Sequence, residues 1–276
     1  MINKEKWWFE EKNDFKFIKF SHFEKYPEFN YFITTRLAGK SSGQLNSFNL
    51  GFQEYDNPEN VIANRKSLAE YHNIQFESLI FLRQTHSNNI KIVDSSDKAK
   101  GLLSKADAIQ DTDGYILTKP GICPVVMTAD CVPIILFDPV KKIAGVFHAG
   151  WRGTLKLIAQ KGLKIMKEDY NSDPLNILVS IGPSIGPCCY EIGNEVVDEV
   201  KKIFPDNFNE LLIKKKNNKT HLDLWATNKL QLLQEGVNEK NIIICNECTY
   251  HNPETFFSYR YAKGITGRMG TGIFFK

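Results

Sequence analysis

No segment of this chain approaches the roughly 20 consecutive apolar residues of a membrane-spanning helix. The most apolar stretch, Ile122 to Phe137, is interrupted by Asp130 and two prolines, so no membrane association is expected. An excess of charge of one sign is also missing. Thirty-five lysines and arginines against 32 aspartates and glutamates leave +3, too little for a dedicated nucleic-acid or anionic-membrane surface. The opening residues, MINKEKWWFEEKND, contain neither the apolar region nor the small-residue cleavage site of a secretory signal, and a cytoplasmic location is expected. Cysteine is too sparse for a disulfide scaffold. The six present, Cys123, Cys131, Cys188, Cys189, Cys245 and Cys248, read as buried thiols, metal ligands or nucleophiles.

With 42% hydrophobic residues the chain has enough apolar material for a sizeable core. FKFIKF (15–20) and YFITTRL (31–37) alternate with period two, as half-buried strands do. Asn57-Pro58 is a helix start, continued by Val61, Leu68 and Tyr71. SLIFLRQ (78–84) and NIKIVD (89–94) predict two strands around a short polar turn that contains His86. YILT, CPVVMT, VPIILFD and KIAGVFH, between residues 115 and 148, predict buried strands of a central sheet. A helix is then expected from about Gly153 to Asp169, with Leu155, Ile158, Ala159, Gly162 and Ile165 on one stripe. NILVSIG (176–182) is a strand, EVVDEVKKIF (195–204) and LDLWATNKLQLLQEG (222–236) are helices, and NIIICNECTY (241–250) and GIFFK close the chain as strands. KKKNNK (214–219) reads as a solvated loop. Strands and helices interleave without a linker, which predicts one α/β (α+β) domain over residues 1–276, a mixed β-sheet core layered with helices.

Three soft-metal ligands fall at predicted strand ends: His86 in RQTHS, Cys131 in TADCVP and His148 in FHAGWRG. Two imidazoles and a thiolate suit zinc, and three protein ligands leave a fourth position open, the arrangement of a catalytic site. Each residue alone is as readily a structural histidine or a buried thiol. Asp130, next to Cys131, is a candidate proton carrier or a partner that orients a ligand, with a capping role as the alternative. HAGWRGT leads through two glycines into a helix start beside Arg152, a favourable setting for an anion. IGPSIGPCCYEIG (181–193) and SYRYAKGITGRMGTG (258–272) add glycine-rich loops, the second carrying Arg260 and Arg268. Cys245 and Cys248 form a CxxC without a second pair at finger spacing and are expected to be buried strand thiols. PCC at 187–189 lacks the spacing of a cytidine-deaminase signature.

TTRLAG with FNLG, NR (64–65), QTH, ADA, TADCVP, FHAGWRG, IGPSIGPCCYEIG, DLW, CTY and FFSYR with TGRMG occur in this order. That series resembles the YfiH-like laccase-domain family, formerly called polyphenol oxidases, from about residue 31 to the C-terminus; residues 1–30 match weakly. The resemblance implies a zinc-dependent purine nucleoside phosphorylase acting on adenosine, inosine and S-methyl-5'-thioadenosine, with adenosine deaminase activity at the same site. It also implies His86, Cys131 and His148 as the metal triad. Ser87 stands where the family usually has glycine. Phosphate and substrate candidates are Arg36, Asn49 of FNLG, Arg152, Arg260 and Arg268, because guanidinium forks hold phosphate bidentately. Copper is conceivable as the metal, but six histidines without a His-x-His pair do not supply a multicopper oxidase. Two other readings stay open: a cysteine or metal hydrolase editing peptidoglycan precursors, and a nucleotide-binding module without turnover.

Overall fold

Strand β9 (Val132–Asp138) is buried along its whole length, as an unbroken VPIILFD run requires. Its alternate residues serve different cores: Ile134 and Leu136 face helices, Ile135 and Phe137 face a second sheet. In the computed structural model, which describes residues 6–216 and 218–276, β9 lies in a six-stranded sheet. The order is β15 (Ile242–Ile244), β11 (Leu178–Ile181), β9, β10 (Ile143–Ala149), β7 (Gly114–Leu117) and β5 (Ile90–Val93). The outermost pairs are parallel and the inner ones antiparallel. A five-stranded sheet stacks on it, ordered β3 (Phe29–Ile33), β16 (Met269–Phe275), β8 (Cys123–Thr128), β4 (Leu79–Arg83) and β6 (Ile109–Gln110). A hairpin of β1 (Trp7–Lys12) and β2 (Phe15–Phe20), and a small sheet of β12 (Glu191–Ile192), β14 (Thr220–Leu222) and β13 (Leu212–Lys214), complete the strands.

Helix α1 (Pro58–Tyr71) starts where the sequence predicts, with the Asn57 side chain accepting a hydrogen bond from the Glu59 N–H. Its Leu68 and Ala69 cover the outer face of the five-stranded sheet through Leu79, Phe81 and Val125. On the other side, α2 (Trp151–Leu155), α3 (Ile158–Tyr170), α4 (Asn194–Ile203), α5 (Phe208–Leu211) and α6 (Leu224–Gln234) cover the six-stranded sheet. The result is a mixed α/β fold in four layers: helices, sheet, sheet, helix. Each fully buried Leu, Ile or Phe adds roughly 1.5–3 kcal/mol of transfer free energy, so the inner layer between the sheets anchors everything that projects from their ends.

Several elements depart from the periodicity. β4 and β5 are not a hairpin, since they belong to different sheets, and His86 lies in the connection that crosses between them. The predicted helix from Gly153 to Asp169 is two helices, broken where Leu157 takes a left-handed conformation with φ 62°. The strand expected over residues 241–250 stops at Ile244, and Cys245 and Cys248, although buried, lie beyond it. Lys214 ends β13, and Asn217 of the lysine-asparagine run lies outside the described residues. The weakly matching N-terminal segment is built into the core, because Phe17, Ile18 and Phe20 of β2 are buried.

Two histidines sit among aromatic rings. His22 is 4.0 Å from the Phe23 ring centre, and His72 is 4.8 and 4.9 Å from those of Phe17 and Phe32. Burial opposes their charged form and lowers both from 6.5 to about 3. The unfolded chain therefore takes up these protons first. Their contribution to stability is complete above pH 6.5 and is lost as pH falls toward 3, at up to about 1.4 kcal/mol per pH unit for each histidine. Urea unfolding should show stability declining below pH 6.5, and His72→Phe should make the decline shallower. An unchanged slope in that variant would contradict the assignment.

Candidate active site

The site forms where chain leaves one sheet for the other. Past the end of β4, the Gln84 side chain continues the pairing with β8: its amide donates to the Met127 carbonyl and accepts from the Met127 N–H, both at 2.8 Å. The next turn puts His86 in the left-handed region, φ 61°. Ala129, Asp130 and Cys131 carry the chain from β8 to β9, with Asp130 at φ 82°. His148 lies on β10. Its neighbour Phe147 fills a slot where a Cβ on Gly114, Gly145 or Gly162 would come within 2.3–2.5 Å of the ring, so the strand cannot shift.

These turns bring His86, Cys131 and His148 together, their ligand atoms all within 4.8 Å of one another. Cys131 Sγ is 3.8 Å from His86 Nε2, and the two imidazole centres are 4.9 Å apart. His148 is buried, Cys131 half-buried, and His86 is the most open of the three. Gly150 makes the approach possible. A Cβ there would lie 2.7 Å from His86 Cδ2 and 2.9 Å from Cys131 Sγ.

A residue that motif reading passes over organises this set. Asp113 is fully buried, and its carboxylate accepts from His148 Nδ1 at 2.7 Å and from the backbone N–H groups of Thr85, His86 and Ser87. The Ser87 hydroxyl also donates to it at 2.7 Å, which gives the serine at this family-glycine position a function. Its only sequence signal is an acid placed directly before a strand buried on both faces. With Nδ1 committed to Asp113, His148 directs Nε2 toward the ligand position. Burial opposes charge on Asp113, but the bonds from His148 and Ser87 outweigh it and lower its pKa. Burial likewise resists a Cys131 thiolate, yet His148 and His86 bring it down to about 6. His148 rises to about 9, since the Cys131 and Asp113 charges overcome burial.

The three ligands open into a cavity of about 550 Å³, a volume suited to a small ligand. Its walls include Trp151, Tyr190, Tyr259, Arg260 and Arg268. The Arg268 guanidinium donates through Nη1 to the carbonyls of Thr266 and Gly267, while Arg260 Nη1 donates to the Glu191 carbonyl. The other sequence candidates sit elsewhere. Arg36 donates to the carbonyls of Asn46 and Pro253 and stacks 4.7 Å from the Phe257 ring, a clamp between loops. Arg152 is exposed and stacks on Trp151, and α2 is too short to offer the anion site expected there. Asn49 is fully buried and accepts from the Arg268 backbone N–H, so it positions that loop without reaching the cavity. Asp130 borders the cavity, but its oxygens accept from the Thr249 hydroxyl and the Arg260 N–H at 2.6 and 2.7 Å. That is the capping alternative.

Residues 30–276 match the family model described as multi-copper polyphenol oxidoreductase laccase. The chain belongs to this family. It is similar to purine nucleoside phosphorylase YlmD of Bacillus subtilis (strain 168), 34% identical over 86% of this chain and 85% of that one. It is also similar to adenosine deaminase RL5 of an unknown prokaryotic organism, 34% identical over 89% and 93%. Among solved structures, YlmD from Geobacillus stearothermophilus superposes with a TM-score of 0.91 at 32% identity, covering 97% of this chain and 98% of that one. The multi-copper description does not fit the donors present. Among the described residues two groups have the His, Cys, Asp or Glu clustering of a metal site, and neither contains more than two histidines. A single ion fits the first group: His86, Cys131 and His148 are soft donors cleared by Gly150 and fixed by Asp113.

Asp113→Asn should keep the fold but weaken metal affinity by about 10- to 100-fold, the usual effect of removing a ligand-orienting partner. Competition with a chromogenic chelator measures it. Wild-type affinity in that variant would remove Asp113 from the account.

Proposed function

We propose that the chain is a cytoplasmic zinc-dependent purine nucleoside phosphorylase that accepts adenosine, inosine and S-methyl-5'-thioadenosine and deaminates adenosine at the same site. The observation that carries this reading is the juxtaposition in one cavity of the His86, Cys131 and His148 donors with the guanidinium of Arg268. The names of the B. subtilis and RL5 relatives support the two activities. The absence, among the described residues, of any helix long and apolar enough to cross a membrane accords with the location, as do six unpaired thiols.

His86 Nε2, Cys131 Sγ and His148 Nε2 would hold the zinc, with Asp113 keeping His148 in the required tautomer. Bound there, zinc supplies Lewis acidity at one end of the cavity and activates water for deamination. In phosphorolysis a phosphate oxygen bonds to C1' of the ribose while the C1'–N9 bond breaks, and the purine leaves with the electron pair and takes up a proton. Arg268 is the principal phosphate-binding group. Its Nε and Nη2 have no protein partner among the described residues, and burial lowers its pKa, a cost that an anion would offset. Arg260, 5.2 Å from the Tyr190 ring, extends the cationic wall. Tyr190, Tyr259 and Trp151 present aromatic surface to a purine and exclude water from its faces. In deamination water adds at C6 and ammonia leaves, with no phosphate involved.

A cysteine hydrolase acting on activated peptidoglycan precursors is the second reading, favoured by the low pKa of Cys131 beside His148. Chelation separates the two. The phosphorylase should lose activity to chelator and regain it with zinc, whereas a thiol nucleophile should ignore chelator and be blocked by alkylation.

Adenosine with phosphate should yield adenine and ribose 1-phosphate. Arg268→Lys should slow base release about 10- to 100-fold, since a hydrogen bond to a charged group is worth about 1.5–3 kcal/mol. Ammonia release should change far less. Free ribose formed at the same rate without phosphate would make the enzyme a hydrolase.

A further inference from the structure

Three thiols and an imidazole converge outside the triad. Cys188 and Cys189 come from the loop between β11 and β12, Cys248 and His251 from the segment after β15. Their ligand atoms all lie within 4.8 Å of one another. Cys188 Sγ is 3.6 Å from His251 Nδ1, and Cys189 Sγ is 3.0 Å from His251 Nε2. In sequence the Cys245–Cys248 pair has no partner at finger spacing. Folding provides one, the adjacent Cys188 and Cys189, and leaves Cys245 out.

The arrangement is held by backbone. Ser184 and Cys248 form a parallel bridge, with Ser184 N–H donating to the Glu247 carbonyl and Thr249 N–H to the Ser184 carbonyl. The Gly186 N–H points at Cys248 Sγ from 3.2 Å and fixes the position of that sulfur. Zinc bonds of about 2.3 Å to sulfur and 2.0 Å to nitrogen put tetrahedral ligand atoms about 3.5–3.8 Å apart. The spacings here need only side-chain adjustment to reach that, and the His251 side chain, which is exposed, has room to turn one ring nitrogen toward the three sulfurs. Sulfur-rich donors reject magnesium and calcium and select zinc among the common divalent ions.

We propose that Cys188, Cys189, Cys248 and His251 bind a second zinc ion in a closed structural site. Four protein ligands leave no open position, so this ion takes no part in chemistry. Its effect is positional. Tyr190, which lines the cavity, directly follows Cys189, and Thr249, which holds Asp130, directly follows Cys248. The ion staples the two segments that form this wall.

Metal analysis of the full-length protein, expressed with zinc and freed of loose metal by gel filtration, tests the proposal. Wild type should retain two zinc ions per chain, His86→Ala one, Cys248→Ser one, and the double variant none. The exposed Cys188→Ser should behave as Cys248→Ser if the buried substitution impairs folding. On unmutated protein, mass spectrometry after alkylation should find Cys188 and Cys189 protected by zinc and labelled once a chelator is added. A folded His86→Ala protein without zinc, or equal labelling with and without chelator, would overturn the second site.

Discussion

Asp113 has its carboxylate sealed from solvent at the seam between two sheets, where an unpaired charge would cost several kcal/mol. The cost is offset by donors from two elements: the turn of Thr85, His86 and Ser87, through three backbone N–H groups and the Ser87 hydroxyl, and the imidazole of His148 on β10. Because one anion collects them all, the turn after β4 and the end of β10 are locked at a fixed separation. Cys131, on the crossing from β8 to β9, completes the set. The three candidate ligands are thus positioned by one buried charge and by the packed layer between the sheets that surrounds it.

This constraint explains what could be read from the chain and what could not. The hairpin strand at 15–20, the start of α1 at Pro58 and the buried runs of β8, β9 and β10 follow from local periodicity and capping, which operate within a few residues. His86, Cys131 and His148 stand out because their residue types are rare in apolar surroundings and each follows or ends a strand. Asp113 does not, since its one local sign, an acid directly before a buried strand, says nothing of partners 26 to 35 positions away. The arginines divide for the same reason. Arg36, Arg152, Arg260 and Arg268 look alike in glycine-rich sequence, and only tertiary contacts show that Arg36 is consumed by carbonyls while Arg268 borders the cavity.

The family description and the donor chemistry point in different directions, and the donors decide. Multicopper oxidation needs histidine-rich clusters, whereas His22 and His72 are committed to aromatic packing and His221 to the Pro187 carbonyl. What remains is His251, in the thiol cluster away from the cavity, and one mixed imidazole–thiolate set on a cavity with cationic and aromatic walls. That combination suits polar group transfer between a heteroaromatic compound and an anionic co-substrate better than electron transfer to dioxygen.

The proposed activity requires one metal at the seam between the sheets, held by His86, Cys131 and His148. Diffraction from crystals of the zinc-loaded protein, recorded on both sides of the zinc absorption edge, tests it most directly. The account predicts an edge-dependent anomalous peak about 2.0–2.3 Å from His86 Nε2, Cys131 Sγ and His148 Nε2. A fully ordered seam without such a peak, whatever the map shows elsewhere, would contradict it.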